Sequence, residues 1–280
     1  MVVDNISGYT YRYRIYYMDY DKKDNLPLPP KPVDATKTTP TIATSTDTSK
    51  LLTKKDQEPT VQYYVKFSFM ITYILLLTTA TITFIEAMRT KTPTVRHVLN
   101  LETCISLVAG YFYSIFIDKI GNSEKNFQTI NWKEITEMRY IDWSITTPFM
   151  LIVLSLVVGG HNNISLHFPT MILIVALNYF MLYAGYLGET GSLSKLTAMF
   201  LGYIGFVLMF WVIYKTFVQP KYSVANYVMF VLYLVVWGMY GLVYLLQEEY
   251  KNITMNILDL IAKCFIGLGL WAYYTRIIVA

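Results

Sequence analysis

Long apolar runs alternate with short polar breaks along this chain. Seven runs stand out, over roughly residues 64–88, 97–118, 138–159, 166–187, 195–218, 224–247 and 253–276. A helix needs about 20 mostly apolar residues to cross the hydrocarbon core of a bilayer, and each run has that length. Backbone N–H and C=O groups in lipid must be paired within the segment, so each run predicts a helix. The breaks are short. The expected fold is therefore all-α: one seven-transmembrane helix bundle over residues 61–280, an integral multi-pass protein whose first partner is the lipid bilayer. No internal repeat is visible.

Residues 1–60 are a different material. A Tyr-rich charged stretch, "YTYRYRIYYMDYDKKD", leads into "LPLPPKP" and then "TKTTPTIATSTDTSKLLTKK". Such a composition cannot bury a core and predicts a disordered tail. No apolar segment at its start reads as a signal peptide. Asn5-Ile6-Ser7 and Asn252-Ile253-Thr254 match the glycosylation sequon, a short pattern that often arises by chance.

Charge adds an orientation. The net charge of +4 gives no sign of a nucleic-acid partner. Arg89, Lys91 and Arg96 lie between the first two runs, Lys215 and Lys221 flank the end of the fifth, and Arg276 stands at the end of the seventh. All fall on one side, which the positive-inside rule makes cytoplasmic. The N-terminus is then outside and the C-terminus cytoplasmic. Cys104 and Cys264 fall within runs and are expected to be small core residues rather than a disulfide framework.

Charges within the apolar runs are costly and usually face the bundle interior in pairs. The candidates among them are Glu86, Glu102, Arg139, Asp142, Asp259 and Lys263. Glu86 and Arg139 lie near run ends, where a snorkelling side chain is an equal reading. Asp142, Asp259 and Lys263 lie a turn or more inside. Asp259 and Lys263 are four apart and share a helix face. Burial disfavours the charged amine, and a neutral amine in an apolar pocket is a good nucleophile toward an aldehyde. The resulting imine keeps a proton only beside carboxylates: Asp259 is one, and Asp142 is a second if the third and seventh helices face each other. A plain Lys–Asp pair tying two helices together fits the spacing equally well. The chain is not expected to be an enzyme.

The third run carries Arg139, Tyr140, Asp142, Trp143, Thr146, Thr147 and Pro148, and resembles the R-Y-x-D-W-x-x-T-T-P signature of microbial (type 1) rhodopsins. The seventh, with Asp259, Ala262 and Lys263, resembles their D-x-x-A-K. "WGMYGLVY" in the sixth and "GYLGETG" in the fourth are similar to further family motifs. The resemblance covers about 64–278. It implies an all-trans retinal cofactor held on Lys263 as a protonated Schiff base, with Asp142 as primary counterion and proton acceptor and Asp259 as second counterion. It implies that Arg139 biases their charges, that Tyr113 and Tyr240 hydrogen-bond Asp259, and that Thr146 lies near the Schiff base. The retinal pocket would comprise Trp143, Thr147, Met150, Gly202, Met209, Trp237, Gly241 and Tyr244. Pro148 is a kink the family tolerates.

The chain departs from the family's pumps at Val153, where they carry the acid that reprotonates the Schiff base. Taken alone, this favours a sensor or a channel. Glu102, however, lies eleven residues before Tyr113, about 16 Å toward the cytoplasm. There it could replace the missing donor from the second helix, because an apolar surrounding keeps a carboxyl protonated at rest. The spacing of Glu86, Arg96 and Glu102 resembles that of giant-virus rhodopsins of the second group. In that reading Glu86 and Arg96 form a cytoplasmic entrance, and the protein is a homo-oligomer (trimer or pentamer) with no soluble transducer. Glu248 and Glu249 are the candidate proton-release acids, with Lys251 close to where another acid would be. Gly241 replaces a family proline, so a softer kink is expected. The sequence thus supports a light-driven outward proton pump. A light-gated cation channel and a slow photosensor remain the alternatives, and no metal site is expected.

Overall fold

The computed structural model describes residues 46–126, 128–162, 166–221, 223–275 and 277. Side chains are described from residue 62 onward, apart from 161 and 162. Arg276 and residues 1–45, including the Asn5 sequon, lie outside the described residues.

The helices are α1 (Thr46–Arg89), α2 (Pro93–Lys125), α3 (Trp132–Asn162), α4 (Phe168–Glu189), α5 (Lys195–Ile213), α6 (Val224–Val243) and α7 (Glu248–Asp259). A π-helical segment, Tyr214–Val218, extends α5. A second, Leu260–Phe265, joins α7 to α8 (Ile266–Tyr274), making one long rod. Among the described residues, seven helices are long and apolar enough to span a membrane, and their cores match the seven runs. Among the described residues there is no strand.

Boundaries follow local chemistry. Pro93 and Pro169 occupy first-turn positions of α2 and α4, where a missing N–H costs nothing. Ser194 caps α5 by accepting the Thr197 N–H at 3.1 Å. Gly191, with φ of 80°, makes the tight reversal between α4 and α5. Two boundaries differ from expectation. The stretch 46–60, which composition placed in the disordered tail, is helical; Leu51, Leu52, Lys54, Lys55, Gln57 and Glu58 are all good helix formers. The sixth helix stops at Val243, and α7 takes Glu248 and Glu249 into its first turn.

Each helix packs on the next, the α7–α8 rod closes the ring against α1, and α3 also meets α6. One apolar cluster lies among α3, α5, α6 and the last rod, with Trp143, Leu154, Phe210 and Trp237. A second, with Phe69, Phe116, Ile135 and Cys264, lies among α1, α2 and their neighbours. The two cysteines part company here. Cys264 is buried, but Cys104 is exposed on the outer face of α2 with Leu107 and Tyr111, a stripe that meets lipid and not core.

Lipid is as apolar as leucine, so close packing rather than water exclusion holds membrane helices together. Small residues on α4 and α5 show this directly. A Cβ at Gly188 would lie 2.5 Å from the Ala198 Cβ, which cannot rotate away, and one at Gly205 would lie 3.2 Å from the Leu177 carbonyl oxygen. Gly188→Ala should therefore lower stability by about 1–3 kcal/mol through overpacking. Thermal unfolding of the purified protein in detergent measures the loss.

Pro148 lies inside α3 and leaves the carbonyl of Ser144 without its usual helical donor. Tyr179 of α4 supplies the replacement, its hydroxyl donating to that carbonyl at 3.0 Å. The proline thus ties α3 to α4 immediately beside Asp142.

Candidate functional site

Asp142 on α3 and Lys263 in the π-helical segment meet at the centre of the bundle. Lys263 Nζ donates to Asp142 Oδ2 at 2.9 Å and lies 3.5 Å from Asp259 Oδ2. Both carboxylates are fully buried and the lysine is 2% exposed. Tyr240 of α6 donates to Asp259 at 2.6 Å, and Tyr113 of α2 donates at 2.8 Å. Arg139 Nη1 stands 3.5 Å from Asp259. Two cations thus face two carboxylates, the balance a buried ionic group needs. The π turn belongs to the same pattern, since such turns gather at functional positions.

Arg139 does not snorkel. It is 2% exposed and lies over the rings of Phe116 and Phe69, 5.3 and 5.5 Å from their centroids. Aromatic faces replace part of its hydration. Its Nη2 donates to Asn256 Oδ1 at 2.9 Å and to Asn252 Oδ1 at 3.1 Å, and its Nη1 to the Tyr113 hydroxyl at 3.3 Å. Asn256 has no part in the expectations from the sequence, and Asn252 enters them only through its sequon. The signal was present: Asn252, Asn256, Asp259 and Lys263 recur at spacings of four, three and four, the stripe of one helix face. Asn252 is 1% exposed, and its amide donates to the Glu248 carbonyl at 2.8 Å. Its sequon therefore does not present a glycosylation acceptor.

Thr146 is buried next to this cluster with its hydroxyl on the Asp142 carbonyl at 2.9 Å. Thr147 donates to the Trp143 carbonyl and accepts from Asn178 Nδ2 at 2.8 Å, a polar link to α4 that the sequence reading passed over.

Beside Lys263 opens a cavity. Trp143, Thr147, Met150, Gly202, Trp237, Gly241 and Tyr244 line it, and Asp259 and Lys263 supply its charged groups. Met209 is fully buried but is absent from the wall; it packs in the neighbouring core, and Phe206 takes the lining position. Gly241 receives the ring of Tyr203, to which a Cβ there would come within 2.6 Å, and the Tyr203 hydroxyl donates to the Gly238 carbonyl at 2.8 Å. An apolar, aromatic slot ending at a buried amine fits a polyene aldehyde. Asp142 Oδ1, buried without a protein partner, leaves acceptor capacity beside that amine.

Glu102 lies apart from this cluster. It is 2% exposed on α2, and a Cβ at Gly267 of α8 would sit 2.8 Å from its Oε2. Val153 is also fully buried. The two residues expected at the entrance differ in their surroundings. Glu86 is half-buried, whereas exposed Arg96 donates to the Thr90 carbonyl at 2.8 Å, and among the described residues no ion pair joins the two. At the other end Glu248 is engaged: Lys251, 1% exposed, binds it at 2.8 Å and Glu189 at 3.0 Å, with Lys195 at 3.5 and 3.7 Å from Glu189 and Glu248. Glu249 sits half-buried alongside. Glu189 is the second acid of this group and comes from α4, where sequence distance hid it.

Comparison with known proteins gives the same answer. Residues 63–277 match the family model described as bacteriorhodopsin-like protein. The opsin-like protein carO of Fusarium fujikuroi is 27% identical over 223 residues, covering 71% of this chain and 70% of that protein. The blue-light absorbing proteorhodopsin of Gamma-proteobacterium Hot 75m4 is 26% identical over 152 residues, covering 49% of this chain and 60% of that one. The crystal structure of viral rhodopsin OLPVRII is 41% identical, covers 77% of this chain and 99% of that chain, and superposes with a TM-score of 0.71. The chain therefore belongs to the bacteriorhodopsin-like family of microbial rhodopsins, integral membrane proteins for which the family implies a retinal chromophore.

Proposed function

We propose that this protein is a light-driven outward proton pump and not an enzyme, with the α1–α2 end of the bundle cytoplasmic. The observation that carries the reading is the 2.9 Å contact between Lys263 Nζ and Asp142 Oδ2 inside a buried, charge-balanced cluster. When bound, all-trans retinal on Lys263 supplies light absorption and a change of shape. The chain's own groups do the rest. Lys263 Nζ holds a proton against Asp142 Oδ2, which is placed to receive it. Asp259, held by two tyrosine hydroxyls and Arg139, keeps a fixed negative charge beside both. Glu102 lies eleven residues from Tyr113 along α2, about 16 Å toward the α1–α2 end. In this reading Glu102, buried against Gly267, returns a proton to Lys263 Nζ from the side away from Asp142. Acceptor and donor on different sides of one nitrogen make transfer vectorial.

Photocurrent of the retinal-loaded protein in a voltage-clamped cell tests this. A pump gives outward current at every voltage. A current that reverses with the ion gradients would make the protein a channel. In Glu102→Gln, recovery of the resting pigment should slow by about 10²-fold, the usual weight of a positioned proton donor. Recovery at the wild-type rate would remove Glu102 from the role.

A further inference from the structure

The carboxamide of Asn256 sits where four helices meet, and every polar atom of it is used. Its Oδ1 accepts from Arg139 Nη2 at 2.9 Å and lies 2.9 Å from the Tyr113 hydroxyl, whose single proton it shares with Asp259. Its Nδ2 donates to Ser68 Oγ of α1 at 2.9 Å. The residue is fully buried, one helical turn from Asp259 on the same rod. Both groups at Asn256 Oδ1 also reach Asp259, Tyr113 at 2.8 Å and Arg139 at 3.5 Å. A buried cation settles where its acceptors are, so the carboxamide and Asp259 compete for one guanidinium.

We infer that Asn256 is the positioning residue that fixes Arg139 between the carboxylate cluster and the outer end of the bundle, and thereby sets how readily Asp142 takes a proton. A neutral carboxamide is suited to this. It offers an acceptor to Arg139 without adding a charge that would draw the cation away from Asp259. The charged and titratable groups around it are Arg139 from α3, Tyr113 from α2, and Asp259 on its own rod, with Tyr240 from α6, Asp142 and Lys263 beyond. Toward the outer end lie Lys251, Glu189 and Glu248, tied to one another. The inference rests on reading Asp142 as the counterion, but not on pumping.

The test is the pH titration of the visible absorption band in the dark, on the full-length retinal-loaded protein. Asn256→Asp keeps the shape and adds a carboxylate at the guanidinium. Arg139 is drawn outward, and the midpoint of the acid-induced red shift should move to higher pH by about one unit or more, the size of a charged hydrogen bond. Asn256→Leu removes the competing acceptor, leaves Arg139 to the carboxylates, and should move the midpoint to lower pH. Opposite movements support the inference, because a merely structural role would move both variants the same way. Equal movements, or none, overturn it. If leucine prevents pigment formation, the aspartate variant decides alone: an unmoved midpoint overturns the inference. Asp142→Asn separates the two failures. If it leaves the red shift intact, the counterion reading itself is wrong and the inference falls with it. If it abolishes the shift while the Asn256 variants leave the wild-type midpoint in place, the inference alone fails.

Discussion

Lys263→Ala protein mixed with retinal should show no visible pigment, only the spectrum of free retinal. Among the described residues the amine is the one nucleophile on the cavity wall able to hold an aldehyde, and it sits 2.9 Å from the carboxylate that would balance its charge. The effect reaches beyond the chromophore. Removing the lysine leaves Asp142 and Asp259 buried with Arg139 as the sole neighbouring cation, and breaking a buried ionic group costs about 3–5 kcal/mol. The apoprotein should therefore also unfold at lower temperature than wild-type apoprotein, most visibly at neutral pH, where both carboxylates must ionise or borrow protons. Absorption after retinal addition and thermal unfolding of the apoprotein check the two halves separately. A visible band in the alanine variant would place the attachment elsewhere.

Asp142→Asn should abolish the photocurrent, leaving less than about one hundredth of the wild-type signal, in line with the weight of a positioned proton acceptor. The asparagine keeps the shape and a hydrogen-bonding oxygen toward Lys263 but cannot accept a proton. Lys263 and Arg139 then share Asp259 as their carboxylate, at 3.5 Å from each. The absorption band should move to longer wavelength, because a negative charge beside the nitrogen stabilises the ground state, in which positive charge sits there. Photocurrent and absorption spectrum on one preparation check both. A wild-type current would assign the acceptor role to another group, with Asp259 the first to examine.

Much of this was legible in the sequence. Apolar run length gave the seven helices because lipid leaves the backbone no other choice. The four-residue spacing of Asp259 and Lys263 placed them on one face because helix geometry is local. What stayed hidden was set by neighbours far along the chain. Arg139 near a run end looked free to snorkel, and only the rings of Phe69 and Phe116 from two other helices show why it turns inward. Cys104 and Cys264 look alike as letters in apolar runs, yet one faces lipid and the other the core, because both faces of a membrane helix are apolar. Glu189 becomes a partner of Lys251 through the ring order of helices, which no local pattern records.

The π-helical segment Leu260–Phe265 has a further consequence, for the azimuth of the last rod. Along an unbroken α-helix the eight steps from Asp259 to Gly267 would turn Gly267 about 80° away from the aspartate's bearing. A wider turn that absorbs one residue brings it back to within about 20°. One line along the rod thus carries the tyrosine- and arginine-bound carboxylate at one level and meets Glu102 at another. Lys263 sits where the winding changes, so the two ends of the path are kept in phase through the residue between them.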